Sequence, residues 1–250
     1  MLSRAQRLSQ IFIIGQLHEG KWMASQSALD ELERCEKLAL NSVTPDRSYY
    51  EIVSLNIHSL PAHIEDVKRF VNRTRPTVIC IQETWLPNSL EDSTMYEIDG
   101  YDLFLNSIGR GRGIATYCLT GFFSFVKDIS KKDIQMTKVM NDEFSIINVY
   151  RSAECQDFEI HLSSLVKSSK DTIVCGDVNI DLRRDGQKQS KLLQYTESIG
   201  FNQCITQSTH EKGGLLDHVY VSKDFSSNIV IEKKSIRFSD HDMIYIRIKK

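Results

Sequence analysis

Four short strings in this 250-residue chain hold residues of the types that bind a divalent cation and direct water at phosphorus. SLNIHSL supplies Asn56, IQETW supplies Glu83, CGDVNID supplies Asp177 and Asn179, and FSDHD supplies Asp240 and His241. Carboxylate and amide oxygens are the hard donors that Mg²⁺ prefers, and a cation so held can activate water against a phosphodiester. A histidine near neutral pH can stabilise or protonate phosphate oxygens. All four strings stand at the ends of apparent β-strands, so the fold would gather them at strand termini.

Glu83 follows the apolar run TVICIQ and would emerge where that strand leaves the core, as the principal cation ligand with the Asn56 amide beside it. Asp177 and Asn179 lie at i and i+2, on one side of an extended segment. There a carboxylate can orient or deprotonate water while the amide donates to charge building on phosphorus. His241 needs a carboxylate on its other ring nitrogen, and Asp217 in GLLDHVYVS is the best placed to provide it. Tyr150, at the end of FSIINVY, is positioned to reach phosphate. Taken singly these signals are ordinary: a lone Glu after a strand is usually a turn residue, and GDxN is a common turn. The other histidines (His18, His58, His63, His161, His210 and His218) are read as structural, which fits His58 and His210 less well than the rest.

The elements that must position these groups follow a strand, loop, helix, strand order from Tyr49 onward. Strands are predicted at EIVSLNI, TVICI, DLFL, FSIINVY, DTIVCGD, CITQ, HVYVS, IVIEKKSIRF and MIYIRIK, with GIATYCLTGFFSFV forming a hairpin about Gly121. Helices are predicted from Pro61, with Ile64, Val67 and Val71 on one face, at Asp157–Lys167 and at Gln189–Ile199. Many strands with few helices imply an α/β fold with two sheets packed face to face and helices outside. Residues 1–45 differ: IFIIG reads as a short strand, Ser25 to Leu40 as a helix, and NSVTPDRS as the linker to a domain over residues 46–250.

Hydrophobic content of 41% and charged content of 26% are those of a globular protein. No apolar run approaches the ~20 residues of a transmembrane helix, and the four-residue apolar core of the N-terminus is too short for a signal peptide. Six cysteines without CxxC pairing point to a reducing, intracellular setting and no structural zinc. A net charge of −2 does not mark a nucleic-acid binder, although basic clusters occur at Arg110 and Arg112, at Lys131 and Lys132, and from Arg183 to Lys191. Each cluster alone reads as a solvated face.

Taken in order, LNIHS, QETW, NVY, GDVN, LDHVYVS and SDHD resemble the endonuclease/exonuclease/phosphatase superfamily over roughly residues 49–250. The resemblance implies a four-layer α/β sandwich and Mg²⁺-dependent phosphodiester hydrolysis, with Mn²⁺ able to substitute. It implies that Glu83 binds the metal with Asn56 and Asp240 assisting, and that Asp177 and Asn179 position the water and the transition state. His241, paired to Asp217, would contact the scissile phosphate with Tyr150 in support. Asn56 stands where some members carry another polar ligand, which leaves its exact role open. Thr209 matches a phosphate-side threonine of mobile-element members, and Ser239 is placed with it on the substrate side. The texture is most similar to endonuclease domains of non-LTR retrotransposons and Helitron transposons, which nick DNA to leave 3′-hydroxyl and 5′-phosphate ends. Residues 1–45 resemble the tail of a Helitron-type DNA helicase, with Arg4 as its nucleotide-sensing arginine. The chain has no GxxxxGK[ST] phosphate loop, so this tail is read as a truncated remnant that does not bind ATP. The expected partner is DNA, with no membrane, and the expected location is nuclear. Hydrolysis of a small or lipid phosphate ester, or a catalytically silent remnant, stands as the alternative.

Overall fold

A computed structural model describes residues 48–87, 93–166, 171–225 and 227–250. The expected strand IFIIG, the helix from Ser25 to Leu40 and the boundary at residue 45 lie outside the described residues.

Two stretches repeat one pattern, a strand, a helix and a parallel strand. In the first, β1 (Tyr49–Asn56) runs through α1 (Leu60–Thr74) to β2 (Val78–Gln82). In the second, β7 (Phe144–Arg151) runs through α2 (Phe158–Val166) to β8 (Asp171–Asp177). Pro61 in the first turn of α1 suits a helix start, and Arg75 closes the helix in the left-handed conformation (φ 50°).

Antiparallel strands extend both pairs. The first sheet adds β3 (Tyr101–Asn106), β4 (Ile114–Leu119), β11 (Ile229–Lys234) and β12 (Met243–Lys249), in the order β11-β12-β1-β2-β4-β3. The second adds β5 (Ser124–Lys131), β6 (Ile134–Met140), β9 (Phe201–Gln203) and β10 (Asp217–Ser222), in the order β5-β6-β7-β8-β10-β9. A third helix, α3 (Gln187–Ser198), precedes β9.

Side-chain alternation makes four layers of this arrangement. One face of each sheet meets the other sheet, burying Ile52, Val78, Cys80, Ile146, Ile173, Cys175, Val219 and Ile246. The opposite face of the first sheet, with Val53, Leu55, Ile79 and Ile81, takes Ile64, Val67 and Val71 of α1. That of the second sheet, with Ile147, Val149 and Val174, takes Phe158, Leu162 and Leu165 of α2 and Leu192 of α3. The four-layer α/β sandwich expected from the sequence is therefore the fold. No helix among the described residues is long and apolar enough to cross a membrane.

Four elements differ from expectation. The two halves of GIATYCLTGFFSFV do not pair as a hairpin. Both edges of β4 are taken, by β2 and β3, so beyond Gly121 the chain crosses to the second sheet, where β5 pairs with β6. Strand β6 was not expected, because IQMTKVM carries polar residues at buried positions. The Thr137 hydroxyl donates to Asp128 Oδ1 at 2.6 Å and Lys138 Nζ to the Leu165 carbonyl at 2.7 Å, which satisfies them. The short strand near CITQ lies just before it, at Phe201–Gln203, and the strand begun by IVIEKK ends at Lys234.

Candidate active site

Each central strand carries an inward-facing file that begins apolar and ends polar. In β1 the file is Ile52, Ser54, Asn56; in β2 it is Val78, Cys80, Gln82. In β7 it runs through Ile146 to Asn148 and Tyr150, and in β8 it is Ile173, Cys175, Asp177. The gap between the sheets is thus hydrocarbon at depth and polar at the C-terminal ends of the parallel strands. Gln82 and Asn148 tie the sheets together there: Gln82 Nε2 donates to Asn148 Oδ1 at 2.7 Å, and Asn148 Nδ2 donates to the Ala115 carbonyl and Thr116 Oγ1, both at 3.0 Å.

Asp177 is at the centre, 1% exposed. Its Oδ2 accepts from Asn56 Nδ2 at 2.9 Å, across the sheets, and from Asn179 Nδ2 at 3.2 Å; its Oδ1 accepts the Asn179 amide at 2.9 Å. Asn179 holds a left-handed φ of 52°, which lets its amide turn back on Asp177, and its Nδ2 also donates to the Arg151 carbonyl at 2.8 Å. Gly176 before it is required by packing: with φ 139°, a Cβ there would stand 2.0 Å from the Val149 carbonyl oxygen.

Asp217 pairs directly with Asp177 in the β8–β10 register. Its Oδ2 holds His241 Nδ1 at 2.7 Å, both residues being buried, so the expected histidine–carboxylate pair is present. Ser239 and Thr209 brace this pair. The Ser239 hydroxyl donates to the Asn56 carbonyl at 2.7 Å and accepts the His241 amide at 3.0 Å. Thr209 is wholly buried, and its hydroxyl accepts the amides of Leu216 and Asp217 at 3.1 and 3.0 Å. The substrate-side placement expected for Thr209 is corrected accordingly: it fixes the start of β10 and presents no surface to a ligand.

Glu83 follows β2 with φ 53°, and its carboxylate has neighbours the sequence reading did not assign. Trp85 Nε1 donates to Glu83 Oε2 at 3.2 Å, and His58 Nδ1 lies 3.7 Å from the same oxygen, with its ring 4.6 Å from the Trp85 ring. Arg110 lies over the other part of this platform, 5.6 Å from the Trp85 ring. The His58 amide donates to Asn56 Oδ1 at 3.1 Å, so one residue touches both oxygen donors. Tyr150 donates its hydroxyl to the Gly111 carbonyl at 3.2 Å, and burial with the charges of Glu83 and Asp177 pushes its phenol well above the usual range.

Asp240 stands on the His241 side, its Oδ2 3.4 Å from His210 Nε2. His210, Asp240 and His241 bring three potential ligand atoms within 4.8 Å of one another. His210 Nδ1 accepts the Lys212 amide at 3.0 Å, so a neutral His210 carries its proton on Nε2, facing Asp240. That is a hydrogen-bonding arrangement first. His218, in contrast, is structural: fully buried, bonded to the Tyr220 hydroxyl and the Ile180 carbonyl, and pushed down to about 4 by burial.

The electrostatics concern two groups. Burial, then the charge of Asp217, push the Asp177 carboxyl up to about 8 despite its hydrogen bonds and His241. Burial would lower His241, but the Asp217 hydrogen bond and the charges of Asp217, Asp177 and Asp240 outweigh it and push the imidazole up to about 9. Ionised, Asp177 would give the cluster more buried carboxylate than its one imidazolium balances. Glu83 and Asn56 offer carboxylate and amide oxygens, a hard donor set that suits Mg²⁺ or Mn²⁺, and a divalent cation would relieve that surplus.

The fold is similar to those of solved structures at low identity. The AP endonuclease LMAP from Leishmania major matches with a TM-score of 0.69 and 15% identity, over 91% of this chain and 100% of that one. The endonuclease domain of TRAS1, a telomere-specific non-LTR retrotransposon, matches with a TM-score of 0.60 and 14% identity, over 80% of this chain and 98% of that one. The 3′ phosphatase NExo from Neisseria, bound to a product DNA hairpin, matches with a TM-score of 0.63 and 14% identity, over 80% and 100%. No curated protein matches the chain in sequence. With Asp177, Asn179, Asp217 and His241 gathered at one end of the two packed sheets, and the model of the Endonuclease/Exonuclease/phosphatase family matching residues 53–241, the chain belongs to that family.

Proposed function

We propose that this protein is a Mg²⁺-dependent DNA endonuclease that nicks one strand to leave 3′-hydroxyl and 5′-phosphate ends. The observation that carries the reading is the joined hydrogen-bond network of Asp177, Asn56 and Asn179 beside the Asp217–His241 pair. It matches, residue by residue, what phosphodiester hydrolysis requires.

Asp177 is held by three donors and would orient the attacking water and take its proton. The environment that raises its proton affinity also makes its ionised form a stronger base. Asn179 keeps the amide beside that carboxylate and would donate to the charge developing on phosphorus. His241, held in orientation by Asp217, is protonated at neutral pH and would stabilise the phosphate oxygens. Tyr150 stays protonated, so its hydroxyl is a donor. Glu83, with the Asn56 oxygen, would hold the cation, which when bound supplies charge neutralisation at the phosphate. Asp240, on the His241 side, would offer a further oxygen donor.

DNA as substrate is supported by what the similar structures are: an AP endonuclease, a retrotransposon endonuclease domain and a phosphatase bound to a DNA hairpin. On this reading the domain derives from a mobile element, residues 1–45 are its helicase remnant, and the protein works in the nucleus. The net charge of −2 favours, as a second reading, a small or lipid phosphodiester.

The test is nicking of supercoiled plasmid with Mg²⁺ or EDTA, beside His241→Ala. Relaxed circles that need both the metal and His241 support the endonuclease. Plasmid left supercoiled by folded protein, with hydrolysis of small diesters, would transfer the activity to the second reading. Inactivity on both would make the domain a silent remnant.

A further inference from the structure

A cavity of about 370 Å³ opens between Asn179 and His210. Asn179 is bonded to Asp177, and the His210 ring lies 4.7 Å from that of His241, so the cavity shares a wall with the catalytic cluster. Ile180 and Leu216 give it carbon surface, and Arg184, Lys188 and Lys212 line it with cationic groups.

The charges there are unevenly matched. Asp181 accepts Arg184 Nε at 3.0 Å, and its Oδ1 is occupied by the amides of Leu215 and Arg183. Lys188 and Lys212 have no carboxylate partner among the described residues. Lys188 also stands in the first turn of α3, a turn without an acidic residue, where a cation is unfavourable unless an anion is present. The Lys212 amide is fixed on His210, which sets the start of its side chain beside the cluster. Past Lys188 the groove continues into a second cavity of about 650 Å³, where Glu154 and Glu159 stand against Arg151 and Lys191. The lysines without a carboxylate partner nearest the catalytic cluster are therefore those in the space next to Asn179 and His210.

We propose that this cavity is a phosphate subsite for the strand being cut. Lys188 and Lys212 take the backbone phosphate next to the scissile one, and the intervening sugar lies against Ile180 and Leu216. The volume is at the low end of ligand cavities and suits about one nucleotide. The inference rests on the nuclease reading and narrows it: the substrate is a polynucleotide, because a simple diester has no second phosphate to fill the subsite.

The test compares the full chain with the double variant Lys188→Glu/Lys212→Glu. Its control is Lys131→Glu/Lys132→Glu, the same charge change at the β5–β6 turn. Binding of a fluorescein-labelled duplex oligonucleotide in EDTA is followed across salt concentrations, with plasmid nicking and bis(p-nitrophenyl) phosphate hydrolysis in Mg²⁺. The cavity variant should bind at least about tenfold more weakly at ~0.1 M salt, with a log–log salt slope shallower by about 1 to 2. Its nicking should fall in proportion and far more than its hydrolysis of the small diester, and Lys188→Arg/Lys212→Arg should restore both binding and nicking. Equal affinity and slope in the cavity variant and wild type would overturn the subsite, as would an equal loss in the control. Wild type that binds DNA through the subsite but never nicks it would overturn the nuclease reading alone.

Discussion

Replacing Asp217 by Asn keeps the size of the side chain and removes the charge that holds His241 protonated. The imidazole is pushed from 6.5 up to about 9, against a burial that alone would lower it. Without the Asp217 carboxylate, burial is opposed only by the charges of Asp177 and Asp240, and the imidazole should fall toward its ordinary 6.5. At pH 7.5 its protonated fraction then falls from nearly all to about a tenth, a tenfold loss from protonation alone. Loss of the oriented hydrogen bond adds to this, for a total of about 10²-fold or more in kcat/KM. Stability follows the same titration. A histidine whose folded pKa is raised contributes fully below its unfolded value of about 6.5, and the contribution is lost as pH rises through about 9. The shift sets a ceiling of about 3 kcal/mol, since each unit is worth about 1.4 kcal/mol. Three measurements check this: NMR titration of His241 in metal-free protein, the pH profile of plasmid nicking, and urea unfolding at pH 6 and pH 10. The alkaline limb of nicking should move from about pH 9 down toward 6.5. The wild type should lose stability between the two pH values by more than the variant does. An Asp217→Asn protein whose His241 still titrates near 9 would refute the assignment of the shift to Asp217.

Glu83→Ala should abolish metal-dependent nicking and weaken Mn²⁺ binding by calorimetry, while leaving the unfolding curve near wild type. Trp85→Phe removes the indole donor on Glu83 Oε2, a hydrogen bond worth about 1 to 3 kcal/mol with a charged acceptor. Metal affinity should fall by about tenfold while the rate at saturating metal stays close to wild type, and an unchanged affinity would refute that role. Gly176→Ala drives a Cβ into the Val149 carbonyl at 2.0 Å and should cost more than about 4 kcal/mol, or prevent folding, as urea unfolding would show. Deleting residues 1–45 should leave soluble protein with nicking unchanged, and loss of folding would make that segment part of the domain.

The strands at the centre of the fold were legible because they are buried on both faces and read as unbroken apolar runs, as in VICI of β2 and TIVC of β8. Helix α1 was legible from the spacing of Ile64, Val67 and Val71. What failed was pairing. GIATYCLTGFFSFV contains two good strands and a turn glycine with φ 81°, and nothing local says that β4 already has two neighbours. Strand β6 was hidden for a related reason. Its Thr137 and Lys138 are buried beside Asp128 and the Leu165 carbonyl, nine and 27 positions away, and a strand stabilised by remote acceptors has no apolar signature.

The site was legible where an acid or amide sits at a strand end, because several such groups recur in one order along the chain although each alone is ordinary. That covers Asn56, Glu83, Asp177 and Asp217. It does not cover residues whose role depends on what they touch. Trp85 and His58 each stand two positions beyond a candidate ligand, and His210 directly follows Thr209, so proximity in sequence was the available signal. The histidines read as structural, and Trp85 carries no assigned role. Thr209 was misread in the opposite direction: it lies beside catalytic candidates, yet it is wholly buried and its oxygen accepts the Asp217 amide, as that of Ser239 accepts the His241 amide. A side chain's type and spacing thus announce a reactive group more readily than the groups that orient it. The latter act through hydrogen bonds closed only by the fold, which is why Trp85→Phe, with its small chemical change at an unannounced position, tests the structure more sharply than Glu83→Ala.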